Sequence, residues 1–191
     1  MGIDHAFSFP RASFQQHSLA GGWEGFLDDF CAHWPTDQEY VYVDFIREGI
    51  CGNGSARQGN PRWRRLTERR SGSAKSVFHF GVPGSVAKSS HAGIPWLRFL
   101  RRTLGPTVHF WPLDGWVPKS GVHVIAEVYP SLWHNRYPVA GRTPDQQDAY
   151  TISRWLQETD LAGNLAQFFH PSLTTDERAI ADIEGWILGV R

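Results

Sequence analysis

Val122-His123-Val124-Ile125-Ala126-Glu127-Val128-Tyr129 is the strongest strand signal in the chain. Its apolar residues fall on both faces of an extended chain, which predicts a central strand in a sheet covered on each side and hence an α/β domain. Within it Glu127 is anomalous. A carboxylate in an apolar strand loses several kcal/mol of hydration unless a cation compensates it, so either a metal ion or an arginine has to lie beside Glu127.

Before it, Thr107 to Trp111 predicts a second strand, and Ile94, Leu97, Leu100 and Leu104 mark a helix whose far side carries Arg98, Arg101 and Arg102. Downstream, Thr143-Pro144-Asp145-Gln146 supplies a cap, a first-turn proline and a capping-box partner for a helix ending near Gln157. A last helix is predicted from Thr174, capped towards Glu177, to about Val190 within a C-terminal helical extension over 158–191. Upstream, the alternation in Gly2-Ile3-Asp4-His5-Ala6-Phe7-Ser8-Phe9-Pro10 predicts a strand with Asp4 on the face opposite Ile3, Phe7 and Phe9. Trp23, Phe26, Leu27, Phe30 and Trp34 predict a helix with an aromatic core stripe that Pro35 ends, and Thr36 with Glu39 opens another running to Gly49. Residues 51–75 read as a basic loop, Ser76 to Phe80 as a short strand and Gly81-Val82-Pro83-Gly84 as a turn.

The 191 residues suit one domain with a core of its own. Nineteen basic and nineteen acidic side chains cancel, so any site for a polyanion has to be local. The apolar runs are far too short for a membrane span. With no secretory signal pattern and only Cys31 and Cys51, free thiols in a reducing cytoplasm are expected.

Carboxylates on two strands and on helices form the hard-oxygen ligand set that Mg²⁺ or Mn²⁺ prefers. Asp4 and Glu127 are the strand members, and Asp148 flanks the stripe of Ala149, Ile152 and Leu156. Asp145 competes with Asp148, but its first-turn position is explained by the helix dipole. Glu184 falls inside the buried stripe of Ile180, Ile183, Ile187 and Leu188. The bland readings are an arginine pair for Glu127 and a hydrogen-bonded edge glutamate for Glu184. Nine histidines show no zinc spacing, Ser8 and Ser131 lack a nucleophile elbow, and no glycine run makes a phosphate loop. The basic loop carries Arg57, Arg62, Arg64, Arg65, Arg69, Arg70 and Lys75 against the single acid Glu68, with Trp63 among them. Arginine forks beside a stacking ring suit a single-stranded polynucleotide, and a loop merely solvated or paired with surface acids is the alternative.

In Gly2-Ile3-Asp4-His5-Ala6-Phe7-Ser8-Phe9-Pro10, Thr67-Glu68, Lys75-Ser76-Val77-Phe78, Gly93-Ile94-Pro95 and Trp111-Pro112 the chain resembles family 429 of the domains of unknown function. Glu127-Val128-Tyr129-Pro130-Ser131, Asp145-Gln146-Gln147-Asp148-Ala149-Tyr150 and Glu184-Gly185-Trp186-Ile187-Leu188-Gly189-Val190 extend the resemblance over nearly the whole chain. It implies a ribonuclease-H-like mixed sheet flanked by helices and a nuclease activity. Asp4, Glu127 and Asp148 would then hold Mg²⁺ or Mn²⁺, with Glu184 assisting and Arg62, Arg64, Arg65, Arg69 and Lys75 steering DNA or RNA. A non-catalytic module binding nucleic acid or protein is the alternative. Proteins of this resemblance carry a further N-terminal strand with an aspartate, so either Asp4 is the strand ligand or the first ligand lies outside this chain. An uncovered sheet edge at that place would favour homo-oligomers.

Overall fold

His123–Glu127 is the middle strand of a small sheet in the computed structural model, which describes residues 1–82 and 84–191. The N-terminal strand β1 (Gly2–Ile3) and strand β2 (Val108–Trp111) flank this strand, β3, in the order β1-β3-β2, and both pairings are parallel. Gly2 lies opposite Ala126 and Ile3 opposite Glu127, while Trp111 also faces Ala126. The alternation along β3 divides the interior as strand parity demands. Ile125 joins a core with Phe7, Phe9, Phe26, Phe30, Ile94 and Phe110, whereas Ala126 and Val128 join a second with Trp111, Ile152, Trp155 and Trp186. The chain is a mixed α/β structure.

The helices around the sheet are α1 (Arg11–Gln16), α2 (Gly22–His33), α3 (Val43–Arg47), α4 (Leu66–Arg70), α5 (Ala87–Leu104), α6 (Pro144–Leu161) and α7 (Thr175–Glu184). Both predicted downstream capping boxes form. Thr143 N–H donates to Gln146 Oε1 at 3.0 Å and Thr174 N–H to Glu177 Oε2 at 2.9 Å. Trp23, Phe26, Leu27 and Phe30 are the buried side of α2, as their spacing predicts.

Several elements differ from the sequence reading, each for a local reason. Only Gly2–Ile3 of the N-terminal segment pairs in the sheet; beyond it Ala6 N–H donates to Ser90 Oγ at 3.0 Å and Phe7 N–H to Glu127 Oε2 at 3.4 Å. Side chains thus take over from strand partners, and Ala6 to Pro10 dives into the core. The helix expected from Thr36 is confined to Val43–Arg47, because the Thr36 hydroxyl donates to His91 O at 2.8 Å instead of capping. Ser76 to Phe80 is a turn, closed by His79 N–H on Ser76 O at 3.0 Å, and buries Val77 and Phe78 without strand pairing. Of the turn expected after it, Pro83 lies outside the described residues. The last helix stops at Glu184, because Gly185 at φ +72° turns the chain. Ile187 then bridges Glu127 in parallel and Leu188 N–H donates to Glu127 O at 2.9 Å, so the C-terminal segment continues the sheet where β2 has ended. No helix among the described residues is long and apolar enough to cross a membrane.

Candidate functional site

Parallel strands bring their carboxyl ends to one side of a sheet, and crevices there are where open α/β folds bind ligands. Glu127 ends β3 and Asp4 follows the last residue of β1, so both acids reach that side. Their environments differ completely.

Glu127 is buried and locked. Arg65 Nη1 donates to its Oε2 at 2.7 Å and Nη2 to its Oε1 at 2.5 Å, a fork-to-fork pair. Arg65 Nε donates to Glu68 Oε1 at 2.8 Å, the Arg65 amide donates to Glu68 Oε2 at 2.9 Å, and Nη1 also reaches Glu184 O at 3.2 Å. Arg65 is therefore a structural cation with 1 % exposure, not a phosphate contact on a loop as its sequence neighbours suggested. The segment that carries it is ordered as α4, whose Leu66, Thr67 and Glu68 are also buried. Two carboxylates hold the guanidinium charged, while burial pushes the Glu68 carboxyl above its ordinary value against the pull of Arg65.

Glu184 is committed too. Its Oε1 accepts from Arg11 N–H at 2.7 Å and its Oε2 from Leu66 N–H at 2.5 Å, tying α7 to the starts of α1 and α4. These amides are unsatisfied within their own helices, so the inward glutamate supplies their missing acceptor.

Asp4 and Asp148 make the contrast. Among the described residues neither side chain forms an ion pair, although both line one cavity of about 420 Å³ between β1 and α6. Gly2, Val128, Ile152 and Leu156 form its apolar wall and Asp145 stands at its rim. Asp4 is exposed at the surface, yet its carboxyl is pushed up to about 6 by partial withdrawal from water and by the charges of Asp148 and Glu127. Withdrawal from water and the charge of Asp145 raise Asp148, and His134 opposes them. A cation between Asp4 and Asp148 would relieve the repulsion that Asp4 feels.

Asp4 also borders a narrower cleft of about 120 Å³ with His5, Glu68, Lys75, Glu127 and Tyr129. The Tyr129 hydroxyl lies 3.1 Å from Ser73 Oγ. Lys75 is exposed, as are Arg62 and Arg69, whereas Arg64 is half-buried with its guanidinium on the carbonyls of Glu68 and Gly72. Arg69 donates to Arg64 O at 2.6 Å, leaving the rest of its fork available. Among the described residues no group of three or more His, Cys, Asp or Glu side chains is arranged to hold a metal ion. The acids reaching this region thus separate into a structural pair, Glu127 and Glu184, and an unpaired one, Asp4 and Asp148. Sequence reasoning passed over Glu68, although a lone acid in a run of arginines was the available signal. Comparison with protein-family models, curated proteins and solved structures finds no match for this chain.

Proposed function

We propose that the chain is a ribonuclease-H-like hydrolase of phosphodiester bonds, acting on a polynucleotide at the cavity that Asp4 and Asp148 both line. The observation that carries the reading is that these two carboxylates line one cavity and, among the described residues, have no ion-pair partner, while Arg65 engages Glu68 and Glu127 and backbone amides satisfy Glu184. The residues fit a hard divalent ion in part: Mg²⁺ commonly takes one or two protein carboxylates and completes its shell with water and substrate phosphate, so Asp4 and Asp148 suffice. Glu127 does not belong to that set here, because Arg65 occupies both its oxygens. When bound, such an ion lowers the pKa of water and neutralises phosphate charge. The chain's own residues orient the rest: Arg65 fixes the end of β3, and Lys75, Arg62 and Arg69 offer cations to the phosphate backbone.

Labelled single- and double-stranded DNA and RNA incubated with Mn²⁺ test this. Cleavage by the purified protein is expected to be lost in Asp4→Asn and Asp148→Asn. Background cleavage equal in all three proteins overturns the reading. The engagement of Glu127 by Arg65 supports a second one, a non-catalytic nucleic-acid-binding module; shifted oligonucleotide bands at low salt with no cleavage under any divalent ion would select it.

A further inference from the structure

Asp4 and Val128 line both the cavity of about 420 Å³ between β1 and α6 and the cleft of about 120 Å³, so the two hollows adjoin at the carboxyl ends of β1 and β3. Their chemistry differs. The larger has an apolar wall and three aspartates, Asp4, Asp145 and Asp148, whereas the cleft sets Lys75, Ser73 and Tyr129 beside Asp4. Buried Ala74 and Ser76 anchor the chain on either side of Lys75, which itself is exposed.

The charges of the cleft can be followed group by group. All four carboxylate oxygens of Glu68 and Glu127 accept from Arg65, through Nε, Nη1, Nη2 and its main-chain amide, so neither glutamate is open to a ligand. One cation against two carboxylates leaves this trio one net negative charge, which Lys75 offsets. Burial holds the His5 ring below its ordinary value, and it adds no charge at neutral pH. Among the described residues Lys75 has no carboxylate partner, and its ammonium brings three donors. The Ser73 and Tyr129 hydroxyl oxygens lie 3.1 Å apart, so one proton serves the bond between them and the other is left to donate. An ammonium and a hydroxyl donor side by side suit an oxyanion, and Asp4 is the one unpaired carboxylate facing it.

We infer that the cleft is a subsite for a second phosphate of the polynucleotide, one nucleoside along the strand from the bond held over Asp4 and Asp148, and that Lys75 positions it together with the Ser73–Tyr129 hydroxyl pair. The cleft lies well below the roughly 300 Å³ at which ligand pockets begin, so it takes a phosphate group and not a nucleoside. The inference rests on the hydrolase reading for the place of the scissile bond. It adds the substrate class: a strand with a further phosphate beside the reacting one, in preference to an isolated diester. A divalent ion on Asp4 would cancel the charge that opposes this phosphate, and Asp4→Asn removes that charge without a metal.

Calorimetry in EDTA at low salt tests this with the full chain carrying Asp4→Asn, titrated with a dinucleoside monophosphate NpN and with its end-phosphorylated forms pNpN and NpNp. One of the two end phosphates is expected to tighten binding about tenfold or more. Adding Lys75→Met should abolish that gain and leave NpN binding as it was, with circular dichroism as the check on folding; Ser73→Ala with Tyr129→Phe should reduce the gain by a smaller factor. In wild type with Mn²⁺ the same end phosphate should speed cleavage, an effect lost in Lys75→Met. Equal affinity for the three dinucleotides, or a gain that survives Lys75→Met, overturns the inference. Inorganic phosphate bound as tightly as the favoured dinucleotide overturns it too, by assigning the cleft to a free oxyanion. A gain in EDTA without cleavage under any divalent ion would sink the hydrolase reading and leave the phosphate subsite standing, whereas cleavage indifferent to end phosphates would sink the subsite alone.

Discussion

Arg65 and Glu127 meet fork to fork across 62 residues of chain, with both guanidinium nitrogens of the fork on both carboxylate oxygens. This pair, shared with Glu68, fastens α4 to the end of the central strand. Removing Glu127 leaves Glu68 to compensate the Arg65 charge but strips both Nη groups of their carboxylate acceptors in a place that water cannot reach. Glu127→Ala is therefore expected to cost about 3–5 kcal/mol, read as a lowered urea midpoint at unchanged slope. Arg65→Lys should be destabilising as well, since one ammonium cannot fork two carboxylates. A Glu127→Gln protein as stable as wild type but unable to cleave phosphodiesters would return Glu127 to the cation site.

Asp4 predicts a pH effect of the opposite sign to the common carboxylate. Its folded pKa, about 6, lies above the ordinary aspartate value, so between these limits the native state holds more proton than the unfolded chain. Stability contributed by the protonated form is complete below about pH 4 and is lost as pH rises through 6. In EDTA, Asp4→Asn should melt above wild type at pH 7.5, and the gap should close towards pH 4. Mn²⁺ should narrow the gap at pH 7.5 by stabilising wild type alone, and Asp148→Asn should abolish that metal effect. Equal melting temperatures for wild type and Asp4→Asn across the range would show that Asp4 is solvated and unstrained.

How much of this was legible depended on the range of the interaction. Val122 to Tyr129 announced a central strand because its apolar residues fill both faces, and the two sides of that strand do feed different cores. The capping boxes at Thr143 and Thr174 were legible because they are complete within four residues. The demand of Glu127 for a cation was legible from solvation alone, but which cation was not, since Arg65 lies in a stretch without periodicity. The same gap makes 51–75 read as one open loop, although Leu66–Arg70 is a helix with its first three residues buried and capped from α7. Gly185 reads as interior to a helix because the stripe of Ile187 and Leu188 continues past it; its positive φ instead turns those residues into the sheet.

The basic segment makes a prediction that separates surface from core. Arg62, Arg69 and Lys75 are exposed, whereas Arg65 is spent. Each phosphate contact on a single strand contributes about 0.7 to the slope of log affinity against log salt. Arg62→Ala, Arg69→Ala and Lys75→Ala together should lower that slope by about 2 and leave the melting temperature near wild type. Band shifts over a salt series measure it. An unchanged slope would remove this face from nucleic-acid binding.

Gly93 offers the sharpest test of the geometry next to Asp4. It lies inside α5, where alanine is ordinarily better than glycine by about 1 kcal/mol. A Cβ there, however, would stand 2.3 Å from His5 Nε2 and 2.5 Å from His5 Cδ2. The ring lies against the helix backbone and borders the cleft that holds Asp4, Lys75 and Glu127. Gly93→Ala must therefore displace His5, and overpacking of this kind costs about 1–3 kcal/mol, which outweighs the gain in helix propensity. Lower stability and a shifted Asp4 titration by ¹³C spectroscopy are expected together. His5→Ala should recover most of the loss in the double variant, because it removes the ring that the new methyl group strikes. A Gly93→Ala protein more stable than wild type would place His5 elsewhere, and the wall of the Asp4 cleft with it.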